Sequence, residues 1–178
     1  MLPRLSNKYS LALPDPVFLL KQQKSKGNFF PRGNGQDFQY NVGYFLSQTV
    51  NPTKEYIHSV IATIRHWFIF KARVFLFTMC YNDGPRESDI IINNAVFNEL
   101  NYFEKENVVF LDKPHSIGEY IQELDFAICW RFHAHILCIQ HKIPFLSISN
   151  TPKVMNLLAD NQLEEYHYID RPIINGID

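Results

Sequence analysis

An excess of charge of either sign is missing from this chain: 17 Lys and Arg stand against 18 Asp and Glu over 178 residues, a formal net charge of -1. Without a run of basic residues, a nucleic-acid partner held through phosphate contacts is disfavoured. Missing too is any stretch near the ~18 consecutive apolar residues that a membrane span needs. The first twenty residues, MLPRLSNKYSLALPDPVFLL, have no continuous apolar region of the kind that exports a chain, because prolines and Asp15 interrupt it. The expectation is a cytoplasmic protein with no membrane span. Cysteine is scarce, and Cys80, Cys129 and Cys138 show no C-x-x-C spacing, which excludes a disulfide framework and a thiolate zinc site and predicts reduced, buried thiols. There is no G-x-G-x-x-G after the first strand, no P-loop, no H-E-x-x-H and no G-x-S-x-G.

What the chain does have is a globular balance, with 46% apolar and 20% charged residues, and a length that suits one domain of roughly 100–200 residues. The 15 Phe and 9 Tyr lie within apolar runs and read as core. Residues 1–37, with Pro3, Pro14, Pro16, Pro31 and the polar stretch KQQKSKGN, read as an extended lead-in. Residues 38–170 form the domain, and 171–178 a C-terminal tail.

Within that domain, strands and helices alternate. A strand from Phe38 to Ser47 is followed by Asn51-Pro52, an N-cap and first helical position, and by Ile57, Val60, Ile61, Ile64 and Trp67 at helical spacing. A run from Val74 to Phe77 precedes a second helix marked by Ile92, Ala95, Val96, Leu100 and Phe103. Val108 to Leu111 precedes a third helix, opened by a capping box of Ser116 and Glu119. Phe126 to Trp130 is the next strand, residues 132–141 a helix, and Ile143 to Ile148 a strand. Thr151-Pro152 then caps a last helix through Leu158. Strands apolar on both faces and alternating with helices predict an α/β fold, a parallel sheet with helices on both faces.

In such sheets ligands sit outside the carboxyl ends of the strands, where helix N-termini offer unpaired N–H groups. The richest junction is Cys129-Trp130-Arg131-Phe132-His133-Ala134-His135. Arg131 at the lip of the sheet has a planar guanidinium that suits a carboxylate or phosphate; the plain alternative is an arginine capping a nearby loop carbonyl. His133 and His135 diverge by about 200° on a helix, so they are no metal pair, and no metal site is expected. His133 is expected to face the ligand as an acid, and His135 to face the packing side or solvent. At a second junction, Ser149-Asn150-Thr151-Pro152-Lys153, the lysine falls in a helix's first turn, where a bound anion would offset its conflict with the helix dipole. The third, Tyr81 to Asp89, is a turn-rich loop ending in an N-capping Ser88 or Asp89, and reads as a connector.

The segment DFAICWRFHAHILCIQHKIPFLSISNTPKVMNLL, Asp125 to Leu158, resembles the closing region of the polysaccharide pyruvyltransferase family. Arg131, His133 and Ala134 match that family's R-x-H-A, Pro144 its proline, and Ser149 and Lys153 the ends of S-Y-x-x-K, with Asn150 in place of the tyrosine. Asp15-Pro16 with Phe18-Leu19-Leu20 is similar to its D-P-x-x-L-L, and Asp89 stands where it often opens a helix with Asp. Ser47 and Gln48 occupy the place of a further arginine. The resemblance implies a Rossmann-like domain, the C-terminal donor-binding half of a two-domain, glycosyltransferase-B-like enzyme that transfers pyruvyl from phosphoenolpyruvate to a glycan as a ketal. It implies Arg131 on the carboxylate or phosphate and His133 as the acid, with Lys153, Ser149 and Asn150 completing the substrate site, no cofactor beyond the donor, and a second chain or domain for the acceptor half. Two other readings stay open: a donor half for a nucleotide sugar, with Arg131 and Lys153 on the diphosphate, and a non-catalytic binding module.

Overall fold

A computed structural model describes residues 38–47, 53–81, 88–114 and 117–167. Asn51, Pro52, Gln48, Ser116, the D-P-x-x-L-L segment and the two terminal segments, for which the sequence raises expectations, lie outside them. Five strands form one parallel sheet in the order β3-β2-β1-β4-β5: β1 Tyr40–Phe45, β2 Ala72–Phe77, β3 Val108–Leu111, β4 Phe126–Cys129 and β5 Phe145–Ser147. Every pairing is parallel, with Val42 of β1 opposite Val74 of β2 and Phe126 of β4. This is a Rossmann-like α/β fold. The strand order reverses direction between β1 and β4, the switch point where such sheets open a crevice.

Side chains alternate across a strand, and the alternation divides the core into two layers. Val42, Tyr44, Val74 and Leu76 pack with Tyr56, Val60, Ile61 and Ile64 of α1 (Lys54–Ile69) and Ile92 and Val96 of α2 (Asp89–Glu99). Phe45, Phe75 and Phe77 face the other side. There they meet Ile117 of α4 (Ile117–Tyr120), Ala134 and Cys138 of α5 (Phe132–His141), and Val154 and Leu158 of α6 (Pro152–Asp160). Each large aliphatic or Phe side chain among these, fully buried, contributes roughly 1.5–3 kcal/mol. Phe45 and Phe77 stack with centroids 4.5 Å apart, and a Cβ on Gly43 would lie 2.6 Å from Leu124 Cδ1 and 3.2 Å from the Phe77 ring. The glycine lets Leu124 close down on the central strand.

Several elements differ from their sequence expectation. Thr53 is the N-cap of α1, its hydroxyl accepting from Tyr56 N–H. The second helix ends at Glu99, because Leu100 turns extended and buries itself; Asn101 and Glu104 then cap each other reciprocally to start α3 (Tyr102–Lys105). Phe103 is therefore exposed, as is Tyr102. The third expected helix is the single turn α4 followed by a 3-10 turn, Ile121–Glu123. The last helix starts where expected, at Thr151-Pro152, and runs to Asp160.

Candidate functional site at the carboxyl edge of the sheet

Arg131 is the residue before α5, at the carboxyl end of β4. Its guanidinium donates from Nε (2.8 Å) and Nη2 to Oδ1 of Asp89, the first residue of α2 after β2. Since β1 lies between β2 and β4, the pair spans the carboxyl end of the central strand. Asp89 is fully buried, and its other oxygen accepts from the backbone N–H groups of Met79 (3.1 Å) and Cys80 (2.9 Å). Burial pushes the Asp89 carboxyl up, against the opposing pull of Arg131 and those two amides. The arginine therefore pairs with a carboxylate, and Asp89 is a structural acceptor and not a helix cap. Ser88 holds the N-cap position of α2 without a side-chain capping bond.

The main chain of Arg131 is held as well. His135, one turn along α5, places Nδ1 2.8 Å from the Arg131 carbonyl and Nε2 2.8 Å from Ser147 Oγ at the end of β5. A carbonyl only accepts, so Nδ1 carries the proton and Nε2 accepts from the serine hydroxyl. Burial pushes the His135 pKa down to about 4, the nearby His167 adding to the shift and the bond to the Arg131 carbonyl opposing it. An imidazole kept neutral and bonded at both nitrogens is a strut between α5 and β5. A continuous line of bonds thus runs from Asp89 through Arg131 and His135 to Ser147.

The two histidines part as helical spacing requires: His135 is buried, while His133 is exposed, its ring edge-on to Phe132 at 5.6 Å. Lys153 is exposed in the first turn of α6, and Asn150 is exposed just before it. Ser149 is fully buried, its hydroxyl 3.2 Å from that of Thr151, and Ser47 is buried beyond β1. Arg131 and His133 thus belong to the β4–α5 junction and Ser149, Asn150 and Lys153 to the neighbouring β5–α6 junction, on the same edge of the sheet.

Sequence reasoning treated the β2–α2 junction as a connector and so missed Asp89 as the partner of Arg131. The available signal was an acidic residue opening a helix on the same edge of a parallel sheet. Cys129 and Cys138 are buried free thiols with sulfurs 3.6 Å apart, burial raising the Cys129 pKa, whereas Cys80 is only half-buried. No described helix is long and apolar enough to cross a membrane.

The strand order and the arginine at the helix start set a polar junction at the carboxyl edge of a Rossmann-like domain, the edge on which sheets of this kind commonly bind ligands. The family model for polysaccharide pyruvyl transferase matches residues 5–152, and the chain belongs to that family of transferases. No curated protein and no solved structure matches the chain.

Proposed function

We propose that this chain binds phosphoenolpyruvate at the carboxyl edge of its sheet, as the donor side of a transferase that places pyruvyl on a glycan as a ketal. The observation that carries the reading is Arg131, held by its guanidinium and its carbonyl at the switch point of a chain in the pyruvyl transferase family. An arginine held at both ends presents its charge in one orientation, which lowers the entropy lost when an anion binds. In this reading Arg131 takes the carboxylate or phosphate, and Lys153 adds positive charge from the start of α6. Asn150 and Ser149 line the same edge. His133 supplies the proton, to the enol carbon or to the leaving phosphate. The acceptor side comes from a second domain or chain, since transfer needs donor and acceptor held together with water excluded.

The test is a titration of the purified chain with phosphoenolpyruvate followed by amide NMR. Shifts should centre on residues 131–135 and 149–153, and Arg131→Lys, which keeps the charge and loses the planar fork, should weaken binding while leaving the domain folded. His133→Asn should lower turnover once the acceptor side is supplied. Tighter binding of a nucleotide sugar than of phosphoenolpyruvate, or unchanged affinity in Arg131→Lys, would overturn the reading.

A further inference from the structure

Two buried hydroxyls flank the Arg131–Asp89 pair without any hydrogen-bond partner among the described residues. Tyr56 sits in the first turn of α1, nine-tenths buried, and its hydroxyl is unpartnered. Its ring meets Trp130, the neighbour of Arg131, edge-on at 5.4 Å, and its phenol feels the charge of Asp89. Ser88 adjoins Asp89 in the chain, is almost wholly buried, and its hydroxyl is unpartnered too.

Both vacancies stand beside a counterpart that the fold has satisfied. Tyr44, packed in the same core layer as Tyr56, donates its hydroxyl proton to Thr63 Oγ1 at 2.9 Å. Thr53, the N-cap of α1, makes the capping bond that Ser88, the N-cap of α2, lacks. Buried hydroxyls are ordinarily bonded, and an orphan costs stability, so two beside one ion pair point to a partner that the described residues do not supply.

Resting on the donor-binding reading above, we propose that Tyr56 and Ser88 are ligand-binding residues whose hydroxyls donate to an oxyanion of the donor, carboxylate or phosphoryl, beside Arg131. The chemistry of the surroundings selects an anion. Both oxygens of Asp89 are already occupied, by Arg131 on one side and by Met79 and Cys80 on the other, so no vacant carboxylate waits for a cation. What stands vacant is a pair of O–H groups, near a guanidinium and at the positive ends of the 16-residue α1 and the 11-residue α2. Burial, with the charge of Asp89 adding to it, holds the Tyr56 phenol above its usual range, so it keeps its proton and remains a donor.

The experiment is calorimetric titration of the full chain and of Tyr56→Phe and Ser88→Ala with phosphoenolpyruvate, inorganic phosphate and pyruvate, together with thermal melts. Each variant should bind phosphoenolpyruvate about 10-fold more weakly, the size of one hydrogen bond to a charged group, while its melting temperature stays level or rises. Weakening that recurs with phosphate assigns the hydroxyls to the phosphoryl group, and with pyruvate to the carboxylate. If the wild-type chain binds phosphoenolpyruvate and both variants bind it equally well, the hydroxyl site is wrong and the donor reading survives. Binding of phosphate or pyruvate that depends on Tyr56 or Ser88, without binding of phosphoenolpyruvate, keeps the oxyanion site and removes the donor reading. No binding of any of the three by the wild type removes both. A fall in melting temperature for both variants with unchanged affinity would make the hydroxyls structural and overturn the proposal.

Discussion

The two flanks of Arg131 are built on opposite terms. Toward β5, His135 and Ser147 form a line in which both ring nitrogens are used and the carbonyl of Arg131 is held. Toward α1 and α2, the Asp89 carboxylate is saturated, yet the neighbouring hydroxyls of Tyr56 and Ser88 are buried and have no partner among the described residues. Similar degrees of burial therefore carry different meanings. A polar group whose bonds close within the chain serves the fold, and on the proposed reading the hydroxyls left open beside Arg131 serve binding at some expense of stability. Substitutions on the first flank should read out in stability and those on the second in affinity.

The largest effect is expected where the two flanks meet. Arg131→Ala leaves the buried Asp89 carboxylate without its countercharge and should cost about 3–5 kcal/mol, seen as a lower denaturation midpoint, whereas Arg131→Lys should lose much less. A midpoint for Arg131→Ala within about 1 kcal/mol of wild type would mean that the pair contributes little to holding the crevice.

Next comes the pH dependence of the closed flank. His135 has its pKa near 4 in the folded chain and an ordinary value near 6.5 when unfolded. Between those values the unfolded state binds the extra proton, so stability falls as pH drops from about 6.5 toward 4, by roughly 3 kcal/mol in total. Asp89, whose pKa is raised by burial, works in the opposite sense, its contribution being lost as pH rises through its folded value. That slope is common to wild type and His135→Gln and cancels in their difference. Denaturation curves at several pH values should show a flatter acid limb for His135→Gln; parallel limbs would deny His135 its role as a neutral strut.

Smaller again, Ser147→Ala strips His135 Nε2 of its donor and should cost about 1–3 kcal/mol, the penalty for a buried acceptor left unsatisfied. The finest discrimination compares two helix starts. Thr53→Ala removes a real capping bond and should cost about 1 kcal/mol, while Ser88→Ala removes none and should lie within about 0.5 kcal/mol of wild type. Equal losses at the two caps, measured by thermal unfolding, would erase the distinction between closed and open polar groups.

Much of the scaffold was readable locally. The strand Val108–Leu111 and the helix 132–141 fall where the apolar runs place them, and Thr151-Pro152 starts α6 as expected. Errors cluster where short-range signals competed. Apolar periodicity carried the second helix through Leu100 to Phe103, while the N-x-x-E pattern of Asn101 and Glu104, present in the sequence, marked a new start. The site was legible only in part. Arg131 and the divergence of His133 from His135 followed from position, but nothing local distinguished Asp89 from an ordinary helix-opening acid.

The sequence by itself determined the class of fold and the edge of the sheet on which polar groups would gather. Both are properties of periodicity and of strand-to-helix junctions, which a few neighbouring residues specify. Tertiary structure alone decided the partners. Asp89 and Arg131 are 42 residues apart and His135 and Ser147 are 12, and each pair meets because parallel crossovers set β2, β1, β4 and β5 side by side. Which hydroxyls close their bonds within the chain and which stay open was settled in that same step, because a hydrogen bond depends on ångström-scale placement across elements that no local pattern encodes.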